Sequence, residues 1–425
     1  MNPSFAAVLA NKSETGSSQP GVAVNSDQRL RGKRAAVLLY SHYPADPRPR
    51  RAAEALAREG VSLEVICLQA SDKEPRTETV NGVDVFRVPM KRRRGGKVSY
   101  LSQYAMFILA SFFCLTFRSF KRRYDIVHVH NMPDVLVFSA LVPKILGATI
   151  ILDLHDPMPE LMQTIFGLSK ESFAVRLLKR FEKWSIRFAD VVLTVNQACK
   201  EIYSSRSCSP EKISVVLNSP DEGIFQFHPA EPKGSSVRDP AGPFLILYHG
   251  SLVPRNGFDL AVDALEIVRK EVSTAKLLVY GEQTPFFEEV MESARRRGLQ
   301  GALEYAGKAN LNQIVEAIKK CDIGIIPNHR NIFTEINTPT RIFEYLALGK
   351  PVIAPRAKGI QDYFGDQDLI LFELGDAKDL ARQISYAYSH PDEVEQTLMR
   401  GQQIYLAHTW TQERMNLLNP IRAQL

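Results

Sequence analysis

Two successive series of short apolar runs, each separated from the next by stretches with helical spacing, constrain this chain more than any other feature. Runs at 35–40, 63–68, 83–88, 125–130, 149–154 and 191–195 form the first series. Runs at 244–248, 276–280, 303–306, 322–327, 351–355 and 369–372 form the second. Segments between them, such as 50–58 and 173–188, repeat their apolar residues at the period of a helix. Alternation of strand and helix implies a parallel, doubly wound sheet. Residues 218–243 are rich in Pro, Gly and Ser and read as a linker. From about Pro391 the pattern is helical without strands. The expected fold class is therefore α/β: two Rossmann-like doubly wound domains, residues 34–222 and 223–406, facing each other across a cleft. A last helix at 407–425 is expected to pack back on the first domain. In such sheets ligands bind beyond the carboxyl ends of the strands.

A length of 425 residues suits two domains, and 45% hydrophobic with 24% charged residues is the balance of a globular protein. The five cysteines are scattered without Cys-x-x-Cys spacing, which fits a reducing compartment and argues against a zinc cluster. Residues 1–33 are rich in Ser, Asn, Gln and Gly and lack a basic stretch before a short apolar run, so a disordered tail is expected rather than a secretory signal. No Gly-x-Gly-x-x-Gly loop follows the first run, which argues against a dinucleotide cofactor. No cofactor, no metal and no nucleic-acid partner are expected from a mild net charge of +6 and these motifs.

The chemistry is concentrated where runs end. Residues 337–355 read as a helix with its limits written in: Thr338 as N-cap, Pro339 at the first helical position, and Gly349 with Pro351 closing the end. The free N–H groups of Thr338 to Arg341 would form an anion site at the positive end of the helix dipole, and Arg341 adds a planar cation. One turn on, Glu344 could accept hydrogen bonds from a ribose diol. Locally, Arg341 and Glu344 are also compatible with an ordinary surface ion pair. Other strand ends carry Asp153-Leu154-His155-Asp156, His128-Val129-His130-Asn131 with Asp134 beyond, His249-Gly250-Ser251, and Gly281-Glu282. Gly250 and Gly281 would let a ligand approach the backbone. His128 and His130 are taken to point to opposite faces of their strand, leaving only His130 near the cleft. Asp153, His155 and Asp156 as metal ligands of a hydrolase lack a partner cluster elsewhere, and Asp366-Gln367-Asp368 reads as a turn.

Pro339-Thr340-Arg341-Ile342-Phe343-Glu344-Tyr345-Leu346-Ala347-Leu348-Gly349-Lys350-Pro351-Val352, with Tyr248-His249-Gly250-Ser251-Leu252-Val253-Pro254-Arg255-Asn256-Gly257 and Asp153-Leu154-His155-Asp156, resembles the family-4 retaining glycosyltransferases of GT-B architecture. The resemblance spans almost the whole chain after about residue 34. It implies that the second half holds a nucleotide-sugar and the first half the acceptor. By the same resemblance Glu344 would hold the ribose hydroxyls, Arg341 and Arg255 the diphosphate, and His155 the transferred sugar. Gly250, Ser251, Asn256, Gly281, Glu282, Glu335, Ile336, Asn337, Thr338, Pro339 and Thr340 would line the donor. Arg48, His130, Asn131, Asp134 and Asp153 would lie on the acceptor side. The family often places a glutamate eight positions before Glu344; Ile336 stands there and Glu335 is one residue out of register. The Arg and Lys the family often carries after the Gly250 position are here Ser251 and Asn256.

Residues 98–117 carry no charge and are flanked by Lys91, Arg92, Arg93, Arg94 and Lys97 on one side and Arg118, Lys121, Arg122 and Arg123 on the other. Length permits a membrane-spanning helix. Its place between two strands of one sheet argues instead for a helix lying in the interface, with 91–123 meeting an anionic membrane surface. A buried helix is the alternative. The resulting expectation is a glycosyltransferase on the cytoplasmic face of a membrane, acting on a lipid-linked acceptor in cell-envelope polysaccharide or glycolipid assembly. A GT-B sugar epimerase and a catalytically silent sugar-nucleotide-binding scaffold are the alternatives.

Overall fold

The computed structural model describes residues 28–90, 97–230 and 242–425. The first domain holds β1 (Arg34–Leu38), β2 (Ser62–Leu68), β3 (Thr77–Val80), β4 (Val83–Val88), β5 (Ile126–His130), β6 (Thr149–Leu154), β7 (Val191–Thr194) and β8 (Ile213–Val215). Its helices are α1 (Pro47–Arg58), α2 (Lys97–Lys121), α3 (Leu141–Ile145), α4 (Met158–Phe166), α5 (Phe173–Phe188) and α6 (Gln197–Arg206). The second domain holds β9 (Phe244–His249), β10 (Ala275–Tyr280), β11 (Leu303–Gly307), β12 (Ile323–Ile325), β13 (Val352–Arg356) and β14 (Ile370–Glu373). Its helices are α7 (Phe258–Val268), α8 (Pro285–Arg296), α9 (Leu311–Lys320), α10 (Ile332–Ile336), α11 (Thr340–Ala347), α12 (Lys358–Gln361), α13 (Ala377–Ser389) and α14 (Pro391–Ala407). A final helix, α15 (Trp410–Arg422), ends the chain.

The eight-stranded sheet runs β3-β4-β2-β1-β5-β6-β7-β8 and the six-stranded sheet β11-β10-β9-β12-β13-β14. All pairings are parallel except β3 with β4. Helices cover both faces, so the central strands are buried and mostly apolar, with His128, His130 and Asp153 the polar exceptions on β5 and β6. In the first sheet strand order reverses beside β1 and β5, and in the second beside β9 and β12. The carboxyl ends at these switch points hold the residues singled out above.

Two boundaries differ from expectation, while the last helix packs where it was expected to. Leu30 is fully buried among Leu56, Leu418 and Ile421, so the first domain includes residues before 34; the rest of the expected tail, residues 1–27, lies outside the described residues. The linker is committed to the second domain soon after Leu217: Phe225 is buried in its core, and His228 N donates to Ala347 O at 2.8 Å. α15 packs on α1 and β8 of the first domain, where Leu417, Leu418 and Ile421 are buried and Arg422 pairs with Glu59 at 2.6 Å.

α2 is half inserted. Phe107 and Leu115 are fully buried against the first sheet, while Leu101, Met106, Leu109, Phe113, Phe117 and Phe120 face outward. Among the described residues it is the one helix long and apolar enough to cross a membrane, and only 22% of its apolar window is buried. The basic positions 91–96 lie outside the described residues. At the other end Lys121, Arg122 and Arg123 are exposed, whereas Arg118 pairs with Glu64.

Candidate active site

On the second domain, β9 delivers His249 and Gly250 to the cleft edge, and the first turn of α11 delivers Arg341. Arg341 Nη1 donates to His249 O at 2.6 Å. Gly250 has φ +134°, a backbone conformation that favours glycine, and a Cβ there would lie 3.1 Å from Arg341 Nη1 and crowd that guanidinium. A Cβ on Gly281 would lie 2.5 Å from Gly250 O. The two strand ends thus meet backbone to backbone, with the Leu252 side chain packed beside Gly281. Ser251 is exposed, and its carbonyl is held by Tyr248 Oη at 3.0 Å and Asn256 Nδ2 at 2.8 Å. The Asn256 side chain is therefore spent on shaping the loop. Arg255 has no ion pair among the described residues; its guanidinium lies 6.0 Å from the Phe333 ring. Glu282 is exposed and lies 3.8 Å from Lys308.

Glu344 is largely buried, with 15% of its side chain exposed, and its Oε2 lies 3.6 Å from His249 Nε2. Burial pushes its carboxyl up to about 7, against the lowering pull of Arg341 and Arg51. Burial and then Arg341 hold His249 down to about 3, so His249 is neutral and gives Glu344 no counter-charge. Among the described residues the Glu344 carboxylate accepts no hydrogen bond. A carboxylate in that state gains most from a ligand that brings hydroxyl donors.

The 331–340 segment departs from expectation at its cap. Pro339 occupies the N-cap position of α11, and Thr338 is turned away: its hydroxyl donates to Gly359 O at 2.6 Å and accepts from Asn196 Nδ2 at 3.0 Å. Proline has no N–H, so the first free helix amides are those of Thr340 and Arg341. Ile336 was expected to line the donor; its side chain instead packs with the core of the first domain, and its carbonyl accepts from Asn196 Nδ2 at 2.8 Å. Asn337 is half-buried between these anchors, and Glu335 points outward, 3.6 Å from Arg330.

On the first domain, Arg48 of α1 clamps Asp153 at the end of β6: Nη2 to Oδ1 is 2.7 Å and Nε to Oδ2 is 3.0 Å. Burial raises the Asp153 carboxyl, but Arg48, His155 and hydrogen bonds from His128 and His130 outweigh it and hold the group well below the usual carboxylate range. His130 Nδ1 lies 2.9 Å from His155 Nε2 and 3.3 Å from Asp153 Oδ2. Burial and the His128 neighbour hold His130 well below its ordinary value, so it is neutral. The expectation that His128 and His130 point to opposite faces is wrong. Residues two apart on a strand share a face, and the two rings stack with centroids 4.2 Å apart. Donor atoms of His128, His130 and Asp153 lie within 4.8 Å of one another, close enough for a metal, but Arg48 already takes both Asp153 oxygens.

Asn131 ties the two loops together: Nδ2 donates to Asp134 Oδ1 at 2.9 Å and Asp156 O at 3.0 Å, while its Oδ1 accepts from His155 N at 2.7 Å. Asp134 is not at the cleft. It is 2% exposed, and burial together with Glu182 pushes its carboxyl up to about 7. Of the first-domain candidates, His155 is the most exposed, and His130 and Asn131 border the same cavity; Arg48, Asp134 and Asp153 lie buried behind them. His155 lines a cavity of about 150 Å³ with Tyr40, Asp46, Tyr104, Asn131 and Asp156. Tyr40 and Tyr104 were missed from sequence. Tyr40 follows β1, a usable signal, but Tyr104 comes from α2 and is brought there only by the fold.

The two halves feel each other across the cleft. Arg51 of α1 lowers the Glu344 carboxyl, and Arg255 opposes the burial that raises Asp156. Asn196 holds Ile336 and Thr338, Tyr363 Oη accepts from Gln197 N at 3.0 Å, and Lys358 pairs with Glu201 at 3.0 Å. The carboxyl-end residues of both sheets and the first turn of α11 therefore converge in one cleft.

With the fold and this site in view, residues 45–219 match the glycosyl transferase 4-like domain family and residues 243–390 the glycosyl transferases group 1 family. The chain belongs to these family-4, group 1 proteins and is a glycosyltransferase of GT-B architecture. It is similar to the probable glycosyltransferase WbjE of Pseudomonas aeruginosa, with 22% identity over 313 residues that cover 72% of this chain and 75% of the relative. Its fold is similar to sucrose-phosphate synthase from Thermosynechococcus elongatus, with a TM-score of 0.71, 16% identity, and coverage of 92% of this chain and 98% of that one. It is also similar to Anabaena HepE in complex with UDP-glucose, with a TM-score of 0.67, 15% identity, and coverage of 92% and 99%.

Proposed function

We propose that this glycosyltransferase moves a sugar from a nucleotide-sugar donor, with retention and without a metal, to a lipid-linked acceptor at the cytoplasmic face of a membrane during cell-envelope glycan assembly. The observation that carries the donor assignment is Glu344: a largely buried carboxylate without a hydrogen-bond donor, one turn along from Arg341 and the glycine-bounded strand ends. A nucleoside diphosphate fits this arrangement. Its ribose diol would satisfy Glu344, and its phosphates would meet Arg341, Arg255 and the first amides of α11. The UDP and UDP-glucose in the HepE structures support a donor of that class.

In the reaction, the bond from the anomeric carbon to the diphosphate oxygen breaks and the acceptor oxygen bonds to that carbon from the same face. The acceptor proton passes to a phosphate oxygen. Negative charge grows on the leaving diphosphate, where Arg341, Arg255 and the helix terminus stabilise it. His155 borders the space for the sugar, held by Asn131 from behind.

The membrane reading rests on α2. Its inner face is part of the domain core and its outer face is apolar, which supports a helix lying along a leaflet over one crossing it. Tyr104 carries the same helix into the His155 cavity. The test is calorimetric titration with UDP, GDP, ADP and dTDP in EDTA. Tight binding of one of them, weakened by Glu344→Ala and by Arg341→Ala, is expected. Binding to none, or unchanged affinity in both variants, contradicts the assignment.

A further inference from the structure

α2, α3 and α5 lie side by side over one face of the first sheet. The 3-10 segment Asp134–Ala140, which leads into α3, packs on both α2 and α5. Phe138 meets the Phe188 ring edge-on at 5.2 Å, and the Lys144 ammonium lies 5.3 Å from that ring. The apolar stripe of α2 therefore does not end at α2. Ile145 of α3 is 74% exposed, and on α5 Phe173 is 71% and Trp184 53% exposed. α5 carries its cations on the same outward face. Arg176, Arg180, Lys183 and Arg187 are all exposed, without an ion pair among the described residues, while Val175, Glu182 and Ile186 are buried.

A solvated basic helix explains the cations but not an exposed tryptophan and phenylalanine among them. Apolar residues at the centre, aromatics beside them and cations at both margins (Lys121 to Arg123 at one, α5 at the other) match the cross-section of an anionic leaflet. We propose that α5 is a second membrane contact, with Trp184 and Phe173 at headgroup depth and the four α5 cations on lipid phosphates. The inference rests on the reading of α2 as an interfacial helix and adds a surface that lies outside 91–123. Two contacts on either side of α3 would fix the tilt of the first domain, which one helix alone leaves free to roll, and would hold the mouth of the Tyr104–His155 cavity beside the leaflet.

The chain has two tryptophans, so Trp410→Phe leaves Trp184 as the reporter. Its emission is followed with phosphatidylcholine vesicles, with and without phosphatidylglycerol and brominated acyl chains. Blue shift and bromine quenching on anionic vesicles are expected. Each surface cation near such a leaflet contributes about fivefold to partitioning, so Arg176→Gln, Arg180→Gln and Lys183→Gln together should weaken it roughly a hundredfold. Phe113→Ser with Phe117→Ser tests α2 separately. If that pair abolishes binding while Trp184 stays unquenched and the triple variant binds normally, the α5 contact is overturned and the α2 reading stands. No vesicle binding by the parent protein overturns both. A concentration-dependent shift without lipid would make the face a self-association surface and overturn the proposal.

Discussion

Asn196 should be worth more than its surroundings suggest. It is fully buried at the N-terminus of α6 and uses every polar atom: Oδ1 accepts from Cys199 N at 2.7 Å, while Nδ2 donates to Ile336 O at 2.8 Å and to the Thr338 hydroxyl at 3.0 Å. It thus caps a helix of one domain and holds the segment of the other that leads into α11. Asn196→Ala removes a cap worth about 1 kcal/mol. It also leaves the buried Ile336 carbonyl unpaired, which costs about 1–3 kcal/mol, while Thr338 keeps its bond to Gly359. A loss of about 3 kcal/mol is expected from urea unfolding followed by circular dichroism. Asn196→Ser can keep the cap but is too short to span the domains, so it should recover about 1 kcal/mol and no donor affinity. Asn196→Asp preserves shape but sets a carboxylate against a carbonyl. Its folded-state pKa is then raised, so this variant should be least stable at neutral pH and regain stability as acidification lets the carboxyl donate. An alanine variant within about 0.5 kcal/mol of the parent, or a serine variant with normal donor affinity, would refute this role, because surface changes commonly fall in that range.

Glu344 has its carboxyl raised to about 7, so it must ionise to accept two ribose hydroxyls. Donor affinity should fall as pH drops below about 7 more steeply than in Glu344→Gln, which keeps the titration of the ligand itself; parallel calorimetric pH profiles would contradict this. Gly250→Ala places a Cβ 3.1 Å from Arg341 Nη1 in a backbone region that side chains rarely adopt. Nucleoside diphosphate affinity should drop at least roughly tenfold, with the Arg341 contact to His249 displaced, on the scale of about 1.4 kcal/mol per tenfold. Arg48→Ala leaves Asp153 buried and uncompensated, so a loss of about 3–5 kcal/mol is expected by urea denaturation. A smaller loss would mean that Asp153 is neutralised by His128, His130 or His155.

Much of the architecture was legible because parallel strands covered on both faces leave continuous apolar runs, as at 149–154 and 244–248. β3 and β8 were not, since Thr77–Val80 is half polar at a sheet edge and Ile213–Val215 is three residues long. In the site, Gly250, Gly281, Arg341, Glu344 and His155 could be found because each follows a strand or opens a helix. Arg51, Tyr104 and Asn196 could not. They reach the cleft through α1 beside β1, an inserted helix, and a contact between domains, none of which leaves a local pattern. Arg48 and Asp153 were read as acceptor-side groups, yet they neutralise each other beneath the surface, which spacing along the chain cannot show. The His128–His130 error came from applying strand alternation to residues two apart. The exposed stripe of α2 shows that the uncharged run is not a fully buried core helix, which an uncharged run alone leaves open.

The most direct measurement is transfer itself. The protein is incubated in EDTA with labelled nucleotide-sugars and vesicles of membrane lipid extract, and nucleoside diphosphate release is compared with label entering the lipid phase. One donor should give the two in equal amounts, with both strongly reduced in Glu344→Ala and His155→Ala. Release of free labelled sugar without lipid labelling, or equal turnover in the two variants, would contradict the cleft between Glu344 and His155 as the seat of glycosyl transfer to a membrane acceptor.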